Sequence, residues 1–217
     1  MARAGAAEGA ATVDAIRRRL AAPRTPQDPR ARIVANIAGE VTPELRAIFE
    51  RPARAASVLL ALLERPTGLT VLFTERAAHL KDHAGQISFP GGRIAEAGET
   101  AVGAALREAH EEIGLTPRDV DVLGSLDELL TGTGFSITPV VGYVARSSFV
   151  AAPDPDEVAG VFEVPLDFIL DPQNTIETFR ERLGTRFRTQ ELHHGGYRIW
   201  GATAAILVSF RDLISNE

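Results

Sequence analysis

The chain has 217 residues, 45% of them hydrophobic, a formal charge of −6 and no cysteine. That length and composition fit one large soluble domain, or one domain with an appendage. The lack of cysteine excludes disulfides, thiolate metal sites and cysteine nucleophiles. The net acidity argues against general nucleic-acid binding, and no apolar run reaches membrane-spanning length.

Residues 1–10 read as disordered. Residues 11–22 carry Val13, Ile16 and Leu20 at helical spacing. The three prolines of APRTPQDPR then mark a linker. Residues 1–33 are therefore read as an N-terminal extension with a short helix, and 34–217 as the main domain. The Ala- and Arg-rich start has the texture of a transit peptide, but Glu8 and Asp14 and the lack of an apolar stretch speak against a targeting signal, so a cytoplasmic protein is expected.

A short helical turn is predicted at 43–50. Two apolar runs in ASVLLALLERPTGLTVLFTER flank Pro66-Thr67-Gly68, a hairpin signal. The segment KDHAGQISFPGG reads as loop. A helix is predicted over 99–113, starting at Glu99 and Thr100 and stopped by Gly114, with Val102, Leu106, Ala109 and Ile113 on its packed face. Strands are predicted at 119–124, 137–145 and 158–164. Gly132-Thr133-Gly134 lacks the third glycine of a dinucleotide fingerprint and reads as a flexible loop near the site. RTQELHHGGYRIW reads as a hairpin turning near Gly195-Gly196, which accounts for His193 and His194 without a metal. Trp200 is assigned to the core. The last helix is predicted at 202–214, burying Ala205, Ile206, Leu207 and Phe210. The fold class expected is α+β, a central mixed β-sheet sandwiched between helices.

The most informative stretch is GGRIAEAGETAVGAALREAHEEIGL, residues 91–115. At about 100° per residue, Glu108, Glu111 and Glu112 fall within about a 100° arc of the predicted helix. Three carboxylates so placed repel one another unless a cation sits among them, and hard divalent ions want oxygen ligands.

This stretch resembles the Nudix box, G-x(5)-E-x(7)-R-E-U-x-E-E-x-G-U, where U is aliphatic. Arg107, Glu108, Ala109, Glu111, Glu112, Gly114 and Leu115 fill its second half, and Glu99 stands eight residues before Arg107. Gly92 is seven residues before Glu99 rather than six, so the loop carries one extra residue. Upstream, LFTERAAHLKDHAGQISFPGG is similar to the signature of the coenzyme A pyrophosphatase branch, L-L-T-x-R-[SA]-x(3)-R-x(3)-G-x(3)-F-P-G-G. Leu72, Thr74, Arg76, Ala77, Gly85, Phe89, Pro90, Gly91 and Gly92 match, with Phe73 and Lys81 as replacements. A longer loop before the helix is a habit of the same branch. DEVAGVFEVPLDFIL and RIWGATAAIL resemble its later segments.

The resemblance implies a Nudix fold and hydrolysis of a diphosphate with Mg²⁺ or Mn²⁺, which offset phosphate charge, orient the substrate and activate water. The implied substrate is coenzyme A, or an acyl or oxidised derivative, cut to 3′,5′-ADP and (acyl-)4′-phosphopantetheine. ADP-ribose or a dinucleotide is the alternative among enzymes. A non-catalytic nucleotide-binding regulator is the alternative of another class, disfavoured because all three box glutamates are present. Glu108 and Glu112, one helical turn apart, are the leading metal ligands. Glu111 is a third ligand or the general base, and the Gly92 carbonyl an additional ligand. Glu157, in the loop PDPDEVAG, is the other candidate base. Arg76, Lys81, His83 and Phe89 are assigned to substrate binding. Glu99, Arg107 and Gly114 are structural, Arg107 pairing with Glu99. The partner expected is a small molecule rather than nucleic acid or membrane, and a homodimer is compatible with the sequence.

Overall fold

The computed structural model describes residues 2–26, 28–80, 84–95, 98–145 and 148–215, with side chains from residue 12 onward. The two apolar runs form β1 (Arg54–Arg65) and β2 (Gly68–Arg76), joined by the tight turn expected at Pro66-Thr67. The run SVLLALL does not alternate with polar residues because both of its faces are covered. Leu60 and Leu62 point into one core cluster, and Leu59, Ala61 and Leu63 into the other.

The main sheet runs β3 (Ile87–Ser88), β2, β1, β7 (Phe135–Val144), β5 (Asp121–Ser125). Beside this path, β4 (Gly91–Arg93) pairs with β1, β6 (Leu129–Leu130) with β7, and β8 (Val158–Pro165) with β2. β1 and β7 are parallel and the other pairs antiparallel, so the sheet is mixed, as expected. One face is covered by α4 (Ala101–Ile113). The other carries α1 (Ala2–Ala21), α5 (Leu166–Leu170) and α6 (Gly201–Ser215). Two short helices, α2 (Pro29–Ala35) and α3 (Pro43–Glu50), follow α1.

Several details depart from the sequence reading. The helix predicted at 11–22 begins at Ala2, so 2–10 are helical rather than disordered. Its Val13, Ile16 and Leu20 are buried in the same cluster as Leu207 and Phe210, which docks it on the domain. The boundary expected at 33/34 falls inside α2. The segment read as loop contains β3 and β4, too short for their periodicity to show. A second sheet, β9 (Thr175–Arg182), β10 (Thr185–His194) and β11 (Tyr197–Trp200), includes the predicted hairpin turning at Gly195-Gly196 and one strand that was not predicted. Trp200 is half-buried rather than in the core, with the Arg180 guanidinium 4.2 Å above its ring. In α6, Thr203 and Ala204 are buried, whereas Ala205 is only half-buried.

Candidate active site

The site is built on α4. Thr100 caps it, its hydroxyl oxygen accepting from the Gly103 N–H at 3.0 Å, and Gly114 ends it in the left-handed conformation at φ +70°. Ala105, Ala109 and Ile113 pack against Leu59, Ala61 and Leu63. The two alanines let the helix lie close to the sheet, and it also contacts β4.

β4 contributes two glycines that let α4 and β1 approach closely. A Cβ on Gly92 would overlap the Glu108 carboxylate, and one on Gly91 would collide with the Ser57 carbonyl and Val58. The Gly91 N–H donates to Glu112 Oε2 at 3.3 Å. Glu112 is only 5% exposed. Burial and the neighbouring Glu108 charge lift its pKa to about 8. The Glu108 carboxyl is also raised, by burial first, against the opposing pull of Arg107.

The loop from β7 to β8 is pinned to the end of α4. The Ala152 N–H donates to the Ile113 carbonyl at 3.0 Å and the Asp154 N–H to that of Glu112 at 2.9 Å. The Glu157 carbonyl accepts from the Ala77 N–H at 2.9 Å. Glu157 thereby reaches the cluster, and its charge raises both Glu108 and Glu112. Arg76, paired with Val158 beside Glu157, lowers Glu112. Arg76 sits at a register shift against β8, where the extra residue belongs to β8. Its Nε is buried and finds no hydrogen-bond partner among the described residues. Such an orphan calls for an acceptor.

Arg107 pairs with Glu99 as expected, Nε to Oε1 at 2.8 Å and Nη2 to Oε2 at 3.2 Å. It also clasps the helix carboxylates. Its Nη1 donates to Glu108 and to Glu111, each at 2.9 Å, and Nη2 to the Arg93 carbonyl at 3.2 Å. Glu111 is drawn outward by this clasp, and no three His, Asp or Glu side chains converge on one point among the described residues.

Two expectations are corrected here. Phe89 is 3% exposed and stacks on Phe73 at 5.1 Å, so it belongs to the core and not to a substrate surface. The β4 carbonyl left unpaired by β1 is that of Gly91, not that of Gly92. Leu59 N–H donates to the Pro90 carbonyl and Ile94 N–H to that of Ala55. Hydrogen-bonded pairs alternate along an antiparallel ladder, which gives the intervening Ser57–Gly92 pair to β1. The backbone groups of Gly91 and Arg93 face the open edge instead, where Glu112 and Arg107 meet them. Lys81 and His83 lie outside the described residues.

A hard divalent ion fits this donor set. Two neighbouring carboxylates, one of them buried, and an edge carbonyl make a partial shell. Mg²⁺ is held in that manner, by one or two carboxylates with the remaining positions left to water and substrate phosphates.

The fold and this acidic helix define a class. The NUDIX domain model matches residues 52–183, and the chain belongs to the Nudix family, hydrolases acting on pyrophosphate bonds. It is 39% identical over 180 residues to "Uncharacterized Nudix hydrolase NudL" of Pectobacterium atrosepticum, covering 82% of this chain and 91% of that one. A protein of the same name from Cronobacter sakazakii is 41% identical over 155 residues, 71% of this chain and 79% of its own. Among solved structures, a Nudix hydrolase from M. smegmatis, RenU, aligns with a TM-score of 0.46 and 27% identity over 55% of this chain and 74% of that one.

Proposed function

We propose that the chain is a Mg²⁺- or Mn²⁺-dependent diphosphatase acting on coenzyme A, or on its acyl or oxidised derivatives, yielding 3′,5′-ADP and (acyl-)4′-phosphopantetheine. The observation that carries this reading is Arg76. It belongs to the segment similar to the coenzyme A pyrophosphatase signature, and it leaves a buried guanidinium Nε without an acceptor beside the acidic cluster.

Glu108, Glu112 and the Gly91 carbonyl would hold the cation, which when bound supplies Lewis-acid stabilisation of the diphosphate and of the attacking water. Arg76 binds a phosphate oxygen through its free Nε. Arg107 fixes Glu108 and ties α4 to the loop at Glu99. Glu157 is exposed, lies close enough to raise both ligands, and carries the carboxylate best placed to accept a proton from water. Glu111 is the other candidate base, and is released for that role only when Arg107 lets it go. We assign the enzyme to the cytoplasm, with a small-molecule substrate.

Mass identification of products after incubation with coenzyme A and either cation tests the reading. 3′,5′-ADP is expected. A preference of more than about tenfold in kcat/KM for ADP-ribose or a dinucleotide would overturn the branch assignment. Unchanged turnover in Glu108→Gln at saturating cation would remove Glu108 from the machinery, and absence of turnover on every diphosphate would favour a binding regulator.

A further inference from the structure

We propose that Arg54 and Arg93, seated on the Phe135 ring, form a second anion subsite that takes a phosphate group carried by the substrate beyond its diphosphate. This rests on the proposed reading and extends it to the nucleotide end of the ligand.

The pleat of the sheet sets the geometry. Gly92 faces α4 and Glu108, so the next residue, Arg93, projects from the other face. Arg93 lies opposite Ala56 on β1, and Arg54 lies opposite Phe135 on β7. Arg54 and Ala56 share a face, so both guanidiniums and the ring emerge together. The Arg54 guanidinium carbon is 4.0 Å from the Phe135 centroid and that of Arg93 5.7 Å. Both side chains belong to exposed residues. Arg54 also donates to the Thr133 carbonyl at 3.2 Å. Arg182 approaches the same turn, its Nη1 2.9 Å from where a Cβ on Gly132 would stand.

One ring can hold one guanidinium by its quadrupole. Two guanidiniums beside one ring concentrate positive charge that an anion would offset. The molecule contains its own control. Arg180 and Arg198 likewise flank a single ring, that of Trp200, at 4.2 and 5.8 Å. There the buried Glu191 lies between them, 2.5 Å from Arg198 and 4.0 Å from Arg180. At Phe135, no carboxylate among the described residues bridges the pair. The place of Glu191 is open to a ligand.

The subsite lies across β4 from the acidic cluster. Arg93 follows the two bare glycines of β4, and its carbonyl is held by the same Arg107 that touches Glu108. A ligand crossing the open edge of β4 meets carboxylates on one side and guanidiniums on the other. The chemistry recognised is a nucleotide with a phosphate ester in addition to the scissile diphosphate.

Calorimetry with 3′,5′-ADP and 5′-AMP tests this without turnover. The wild-type chain is expected to bind 3′,5′-ADP about tenfold more tightly or better, the worth of a charge-assisted contact. Arg54→Gln/Arg93→Gln should abolish that margin while shifting 5′-AMP affinity by less than about twofold, and Arg93→Gln alone, at an exposed side chain, should lose part of it. The subsite is refuted if the wild type shows no margin or if the double variant keeps it. Coenzyme A turnover is scored separately. A margin that depends on the arginines without cleavage of coenzyme A keeps the subsite and sinks the substrate reading. Cleavage with a margin indifferent to the arginines does the reverse.

Discussion

Glu112 carries the clearest electrostatic consequence in the molecule. An ordinary carboxyl titrates near 4.5, and burial beside Glu108 lifts this one to about 8. Between those values the folded, cation-free chain keeps a proton that the unfolded chain has released. Stability therefore falls as pH rises through that window, and is fully present only below it. The loss is on the order of 2–4 kcal/mol. Thermal melts of chelator-treated protein should show Tm dropping from pH 5 to pH 8, and Mg²⁺ or Mn²⁺ raising Tm more at pH 8 than at pH 5. Glu112→Gln should flatten both trends. A cation effect independent of pH would speak against Glu112 as a ligand. The two glycines of β4 separate structure from chemistry. Gly91→Ala pushes a methyl into the backbone of β1 and should cost about 1–3 kcal/mol of stability by melting. Gly92→Ala meets only the end of the Glu108 side chain, so the fold should persist while kcat drops about 10²–10³-fold. Equal melting losses in the two variants would contradict this placement.

At the scale of the element, α4 works because its ends and its faces are set by different residues. Thr100 and Gly114 fix its length, Ala105, Ala109 and Ile113 its contact with the sheet, and Arg107 the posture of its glutamates. The Arg107 side chain is 37% exposed, so its ion pairs contribute little to stability, about 1 kcal/mol or less. Their weight is positional. Arg107→Lys keeps the charge but not the fork. It should leave Tm nearly unchanged and weaken cation affinity about 10–100-fold, the usual effect of losing a residue that orients a ligand. Titration of activity against Mn²⁺ would measure this, and an unshifted half-saturation point would show that Glu108 needs no such support.

Across the whole molecule, α1 is the element whose role changes most on folding. Val13, Ile16 and Leu20 are buried against the face of the sheet opposite α4, and Arg17 pairs with Asp121 at 2.5 Å. Ile16→Ala should therefore destabilise the entire domain by about 2–5 kcal/mol, as in any core. Chemical denaturation would report a lower midpoint with one transition. A stability identical to wild type would mean that the helix is an appendage after all.

The sequence by itself determined the strands of the hairpin, the helix with its cap and stop, and the identity of the acidic cluster. Those features are written in local spacing: apolar runs around Pro66-Thr67, and glutamates one turn apart between Thr100 and Gly114. It also marked Arg76 and Glu157, through motif and loop chemistry. Tertiary structure alone decided which way each group faces. Phe89 stands in a motif beside functional residues, yet the pleat turns it into the core. Arg107, one residue from Glu108, reaches back because its side chain is long enough to clasp three carboxylates. The edge carbonyl passes from Gly92 to Gly91 because ladder phase depends on the partner strand. Arg54, Arg93 and Phe135 lie far apart in the chain, so their juxtaposition has no local signature. Residue type and helical period are properties of a segment, whereas facing, register and charge neighbourhood exist only once β1 has brought β4 and β7 to its two sides.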